Sequence, residues 1–361
     1  MSEELLQIDS DQFPCPACGA FMVYAPSKQG LRCDYCGHEV DITKDNKEIK
    51  EHSLNMKDDI VNHQWAEDKR VIKCESCSGE SVISGTDLTS ECVFCGSAHV
   101  VVEKMDEGIA PEGVVPFMLT LEAAKDGINK WVSSKFYAPS SLKELKRLDT
   151  VKSVYIPYFT YDANTSTFYT ARRGDHYYVT RTKVVDGKTK TVRERRTRWR
   201  SVEGVYKEAF DDVLIHASKK VEESLISKMK SFDLSKVESF QEAYLIGHHA
   251  ERYNKSLSEG FQEATEVMDQ SIYSGIRNQV GGDEFRLTHH QTNYGKTTYK
   301  HLLLPIWMAH YTYKENLFHV YVNGQTGRVV GDYPKSVWKI LLTVGGFIAL
   351  ALLIYFILTR F

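Results

Sequence analysis

Eight cysteines carry the chemistry that can be read directly from this chain. Cys15, Cys18, Cys33 and Cys36 follow the spacing C-x2-C-x14-C-x2-C, and Cys74, Cys77, Cys92 and Cys95 repeat it 59 residues later. The repeat uses every cysteine present. Two residues between thiolates let one tight turn aim both at a single ion. A second such turn, returned by a short hairpin, completes a tetrahedron with Zn–S bonds of about 2.3 Å. Four thiolates leave no open coordination position, so the expected cofactor is two structural Zn2+ ions, not a catalytic one. A thioredoxin-like redox pair has no use for four C-x-x-C units in matched couples. The start, "MSEELLQIDSDQF", is acidic and lacks the apolar core of a secretory signal,. A reducing compartment is therefore expected, where paired cysteines bind metal more often than they form disulfides.

The elements that must position these thiolates are small. "FMVYA" lies in the first fourteen-residue gap and "SVIS" in the second, both strand-like,. Gly19, Gly37 and Gly96 each follow the second cysteine of a pair and suit the left-handed backbone of a metal-bearing turn,. Cys77 is followed by Ser78 instead, which predicts a weaker second site. Both segments resemble zinc ribbons of the transcription-factor-IIB type, over residues 13–40 and 71–104. A ribbon of this size barely has a core, so the metal supplies its stability and chelation is expected to unfold it.

At the other end, residues 340–358 are nineteen residues without a charge. At about 1.5 Å per residue they span roughly 28 Å, close to the ~30 Å hydrocarbon core of a bilayer. Lys335 and Lys339 precede the run, with Tyr333 and Trp338 suited to the headgroup belt,. Residues 337–361 are thus expected to be a transmembrane tail anchor, single-pass, in the plasma membrane. Arg328, Lys335 and Lys339 outnumber Arg360, which places the bulk of the chain in the cytoplasm,. Gly345 and Ala349 form a small-xxx-small pair able to seat a partner helix,.

The fold class expected is α+β: two all-cysteine zinc ribbons, a mixed α/β domain with an antiparallel sheet, and one C-terminal transmembrane helix. Residues 1–12 read as a flexible tail and 41–70 as a charged linker or polar helix. Within 105–336, "LEAAKDGINKWV" places Leu121, Ala124, Ile128, Trp131 and Val132 on one helical face,. "LSEGFQEATEVMDQSIYSGIRNQV" does the same for Phe261, Ala264, Met268, Ile272 and Ile276. "VYIPYFTYDA" around Pro157 echoes "LLLPIWMAHYTYKE" around Pro305, suggesting a duplicated strand unit. Proline at these points predicts a strand start or bulge, not a central ladder position. "VYVNGQTGRVV" reads as a hairpin turning at Asn323-Gly324 or Thr326-Gly327,.

Within a basic hairpin over 177–203, residues 188–200 hold seven Lys and Arg against one Glu. Three readings stand: a solvated edge hairpin kept from aggregating by its charge, a contact with acidic lipid or protein, or a contact with nucleic-acid phosphates. "YGKTTY" lacks the earlier glycine of a phosphate loop, whose place is taken by His290,. The doublets His248/His249 and His289/His290 have no companion ligands and read as packing or surface residues. No nucleophile elbow or paired carboxylates stand out, so no catalytic residue and no enzymatic activity are expected.

The layout of two ribbons led by "FPCPACG", a mixed region with "YIPYF" and "LLPIW", and a terminal anchor resembles a class of bacterial membrane proteins. That class is associated with SPFH-domain and phage-shock-protein-A-type partners in membrane-stress systems. The resemblance implies a scaffold that recruits cytosolic and membrane proteins to the inner face of the membrane. The alternative is a nucleic-acid-binding accessory protein, replication- or helicase-associated, tethered near the membrane.

Overall fold

The computed structural model describes all residues except 1–12, 44–48, 55–69, 84–91, 105–110, 140–150, 186–187, 219–222, 230–231, 315 and 361. The first cysteine repeat forms three short antiparallel strands, β1 (Met22–Ala25), β2 (Gly30–Cys33) and β3 (Glu39–Asp41), in the order β1-β2-β3. β4 (His52–Ser53) follows, within the segment read as a linker or polar helix. The second repeat forms β5 (Arg70–Cys74), β6 (Glu80–Ile83) and β7 (Val100–Lys104), with β5 in the middle. The expected turn at Asp186-Gly187 and the tail over 1–12 lie outside the described residues.

Two matching units then make the body. The first is β8 (Gly113–Val114), α1 (Leu121–Ser134), β9 (Lys152–Val185) and β10 (Lys188–His216). The connection to the second unit holds α2 (Glu223–Ile226), β11 (Glu238–Ser239) and three 3-10 turns, Ser227–Met229, Leu234–Lys236 and Glu242–Leu245. The second unit is β12 (His249–Glu251), α3 (Leu257–Val280), β13 (Glu284–Tyr313) and β14 (Asn316–Asn323). β15 (Val329–Gly331) and the C-terminal helix α4 (Val337–Arg360) close the chain. Between β14 and β15, Asn323 Oδ1 accepts from the N–H groups of Gln325 and Thr326, and Gly327 is left-handed at φ 76°. The turn therefore spans both of the sites expected from sequence.

The proline echo is the centre of the sheet. β9 and β13 pair antiparallel, with Pro157 opposite Leu303 and Pro305 opposite Tyr155. On its outer edge β9 meets β12, in parallel, at Val154 and Tyr155, and then β10 from Tyr158 onward. β13 meets β8, in parallel, at Leu302 and Leu303, and then β14 from Ile306 onward. The two halves are thus equivalent about the Ile156–Leu304 pair. Both prolines lie inside long central strands, not at a start or bulge. Each occupies the step at which one edge neighbour gives way to the next, where the ladder calls on no N–H. Their carbonyls face the same edges and accept from Ala217 N (2.9 Å) and Gly324 N (2.8 Å).

Side chains alternate across the sheet, and its two faces bury different clusters. Tyr155, Leu303 and Trp307 point to the side carrying α1, as do Phe159 and Tyr161, which meet α3. Val154, Ile156, Leu304 and Ile306 point to the other side, against Leu225, Ile226 and Met229. α1 starts at the N-cap Thr120, whose side chain accepts from Ala123 N, and buries Ala124 and Ile128. α3 starts with a capping box, Ser256 and Glu259, and buries all five residues of its expected face. Its core contacts continue along Tyr169 and Ala171 to Val280.

The two hairpins differ in length. β13 begins opposite Gly174, so residues 175–185 and 188–198 form a two-stranded ribbon with no third strand beside it among the described residues. From Pro157 to Val185 the strand extends about 90 Å at ~3.3 Å per residue. β15 runs antiparallel to β14, with Val329 opposite Val322 and Gly331 opposite Val320. The chain therefore leaves the sheet at the end facing away from the long hairpin. There Ser336 N bonds Tyr137 O (2.8 Å), and Lys339 Nζ bonds Ala138 O (2.7 Å). α4 is long and apolar enough to cross a membrane, and none of its residues is buried.

Candidate metal centres

Each cysteine pair sits on the same local turn. The N–H two residues past each C-x-x stretch bonds back to the first cysteine: Gly19 to Cys15 O, Gly37 to Cys33 O, Ser78 to Cys74 O and Gly96 to Cys92 O, at 2.8–2.9 Å. The residue making that bond is left-handed in every turn, at φ 76°, 75°, 54° and 73° in the same order. Three are glycine, which reaches this region freely. Ser78 pays a steric cost of about 1 kcal/mol for the same geometry, which is the physical content of the weaker turn expected at Cys77.

The four turns meet in two clusters. The Sγ atoms of Cys15, Cys18, Cys33 and Cys36 lie within 4.8 Å of one another, and so do those of Cys74, Cys77, Cys92 and Cys95. Cys15 and Cys36 are 3.5 Å apart, Cys18 and Cys33 3.6 Å, and Cys74–Cys95 and Cys77–Cys92 3.7 Å. A zinc tetrahedron with ~2.3 Å bonds has edges of about 3.8 Å, whereas a disulfide brings its sulfurs to ~2.05 Å. The separations fit four ligands around one ion, and all eight cysteines are free. Cys15, Cys33, Cys74 and Cys92 are buried. Hydrogen bonding from Cys77 pulls the Cys92 thiol down to about 5 and pushes Cys77 itself up, while the Cys36 N–H holds Cys33 near 7. Thiols crowded this way resist ionising together unless a cation joins them.

Neither ribbon hangs free. Tyr24 N of the first donates to Ile246 O (3.1 Å), and Gln29 Nε2 donates to Phe117 O (2.8 Å). The Tyr24 ring joins an aromatic group in which His248 stacks on Phe117 with 4.5 Å between centroids. His248 also bonds Ser153 Oγ at 2.7 Å, and burial lowers its pKa to about 3. It is a packing residue, as the doublet reading expected, and His289 and His290 are exposed on β13. The second ribbon joins the main sheet through β6, which pairs with β12. Its Val93 and Phe94 enter the cluster around Ile156 and Leu304, and His319 Nε2 meets Phe94 O at 3.3 Å. The two centres are thereby fixed to opposite faces of one sheet. These docking residues are scattered singly along the sequence and give no local signal.

A third group, Asp162, Asp211 and Asp212, also brings carboxylates together. Lys300 Nζ lies 2.7 Å from Asp212 Oδ1, and Thr298 Oγ1 and the Asp212 N–H satisfy Asp162. This cluster shapes the bulge between Phe210 and Val213.

No family model matches the chain, and no solved structure matches it. The chain is similar to the uncharacterized protein YdjG of Bacillus subtilis (strain 168). The two are 27% identical over 345 residues, which is 92% of this chain and 93% of that protein.

Proposed function

We propose that this protein is a non-enzymatic scaffold, held at the cytoplasmic face of the plasma membrane by α4, with two structural zinc ions shaping its docking surfaces. The observation that carries the reading is the placement of α4. The chain leaves the sheet at one end toward an apolar helix with no buried residue, while both cysteine lobes share core clusters with the body. Closed four-thiolate centres offer no reactive position, which supports a binding role for the ribbons. The partner class is the one implied by the resemblance: SPFH-domain and phage-shock-protein-A-type proteins acting in membrane stress.

The test is affinity purification of the full chain from gently solubilised membranes, beside a chain ending at residue 336. The full chain is expected to sediment with membranes, resist alkaline carbonate and retain specific cytosolic partners. The shortened chain is expected to carry the same partners into the soluble fraction. A shortened chain that stays on membranes refutes the tether. A full chain that retains no partner refutes the scaffold.

A further inference from the structure

The two-stranded ribbon beyond Gly174 is unlike the rest of the molecule in charge. Residues 171–200 hold eleven Lys and Arg against three acidic residues. The whole chain carries −3, so the remaining residues carry −11 against +8 here. The two described carboxylates of this segment are each shared. Asp175 pairs with Arg173 (2.9 Å) and Arg200 (3.5 Å), and Glu194 with Arg181 (3.5 Å) and Arg196 (3.7 Å). Arg193, Arg195 and Arg198 are exposed.

The register decides what shape of partner this charge fits. Arg193 lies opposite Thr180 and Arg195 opposite Tyr178, on one face of the ribbon. Arg196 lies opposite Tyr177 and Arg198 opposite Asp175, on the other. Guanidinium groups on both faces lie over rings: Arg193 over Tyr178 and Arg198 over Tyr177 at 5.2 Å, and Arg172 and Arg286 over Trp199 at 5.4 and 4.5 Å. Attraction to a ring face restrains a guanidinium without using up its N–H donors, which remain able to bind an anion. A flat anionic surface engages one face of a ribbon and leaves the other in water. Two walls of phosphate engage both. The ribbon also projects from the end of the sheet opposite the departure toward α4, which carries it away from the bilayer that α4 would occupy. The B-DNA major groove, ~12 Å wide, admits a two-stranded β-ribbon, whereas the deep, narrow groove of duplex RNA does not.

We propose that this ribbon is an arm that enters the major groove of duplex DNA and binds its phosphates without reading sequence. The inference stands independently of the recruitment reading above.

The experiment uses the full chain in nonionic detergent and a fluorescein-labelled duplex DNA of about 24 base pairs, followed by anisotropy across a fourfold rise in salt. The comparison variant is Arg193→Gln/Arg195→Gln/Arg196→Gln/Arg198→Gln, with circular dichroism and zinc content matched to the parent. Each lost phosphate contact flattens the log–log salt slope by about 0.9, so four flatten it by ~3–4. Over that salt range the parent is expected to lose ~100-fold more affinity than the variant. Lysine at the same four positions keeps the charge, and is expected to keep the slope while weakening binding as the ring contacts are lost. No DNA binding at ~50 mM salt overturns the proposal, as does an unchanged slope in the glutamine variant. Equal affinity for duplex RNA overturns insertion into the groove. Binding to phosphatidylglycerol vesicles that depends on these four arginines, without DNA binding, assigns the arm to a membrane instead.

Discussion

Gly275 faces the sheet from the C-terminal third of α3, and its lack of a side chain sets how closely the helix seats. A methyl group built there would lie 2.1 Å from both Cζ and Oη of Tyr206 and 2.7 Å from Cε1. Ordinary carbon contacts are 3.5–4.0 Å, so the ring or the helix must retreat by more than ~1 Å. Gly275→Ala therefore sets two effects against each other. Alanine is favoured over glycine inside a helix by about 1 kcal/mol, while overpacking of this kind costs about 1–3 kcal/mol. The net expectation is a loss of up to ~2 kcal/mol, or a fall in melting temperature of up to ~8 °C for a body of this size. Removing the obstacle reverses the sign. In a Tyr206→Ser background the same alanine is expected to raise stability by up to ~1 kcal/mol, or ~2–4 °C. The assay is thermal unfolding of all four proteins by circular dichroism in one detergent, read as a double-mutant cycle. An alanine that stabilises the parent, or costs the same in both backgrounds, refutes the close seating of α3 on β10. With it would go the brace that steadies the base of the long hairpin.

Chelating the metal is expected to loosen the body as well as the ribbons, because Met22, Tyr24 and Leu31 share one cluster with Trp307, and Phe94 shares another with Ile156. Hydrogen exchange of the amides around Ile156 and Leu304 checks this, and protection unchanged by full zinc removal would disprove it. Ser78→Gly relieves the left-handed strain at the third turn and is expected to tighten the second centre about 3–5-fold against a competing chelator, worth ~1 kcal/mol. Glu112 accepts from His301 N (2.6 Å) and lies 3.0 Å from His52 Nε2, and burial holds its carboxyl up at about 7. A raised carboxyl favours the fold while neutral, so this contribution is complete below the unfolded value and is lost as pH climbs through 7. Denaturation at pH 4 and pH 8 should therefore show Glu112→Gln matching the parent at the lower pH and exceeding it by ~3 kcal/mol at the higher. A gap of equal size at both pH values would contradict the buried carboxyl.

What the sequence disclosed follows the range of the interaction concerned. The cysteine turns were legible because two residues of spacing and a following glycine are purely local demands. α3 was legible because Phe261, Ala264, Met268, Ile272 and Ile276 repeat at the helical period, and all five are buried. The echo around Pro157 and Pro305 was visible, yet not that the two copies pair with each other. Pairing across 148 residues leaves no mark on either strand alone. The prolines misled as to position, because the rule against central strands assumes that a ladder needs the missing N–H. The hairpin read over residues 177–203 pairs over a far longer stretch, from Tyr158 opposite His216 to Val185 opposite Lys188. Thr165, Thr167, Tyr169 and Ala171 are buried and alternate with less buried residues just as an ordinary short strand would, and nothing local says that the strand continues for 34 residues. The docking of the ribbons was illegible for a similar reason: Tyr24 and Phe94 become significant only beside Phe117 and Ile156.

The matched steps at Pro157 and Pro305 carry a consequence for how this architecture can vary. The part of the first hairpin beyond Gly174, which has no third strand beside it among the described residues, is free to change size without disturbing the midline, as a spoke can be lengthened without recutting the hub. One copy has run out into a reaching limb and the other has stayed a stub that hands the chain on to its greasy terminus. Relatives that preserve the hub are therefore expected to differ most in limb length. Grafting or trimming whole two-residue increments there should yield proteins that still assemble, since each such step restores the same side-chain alternation.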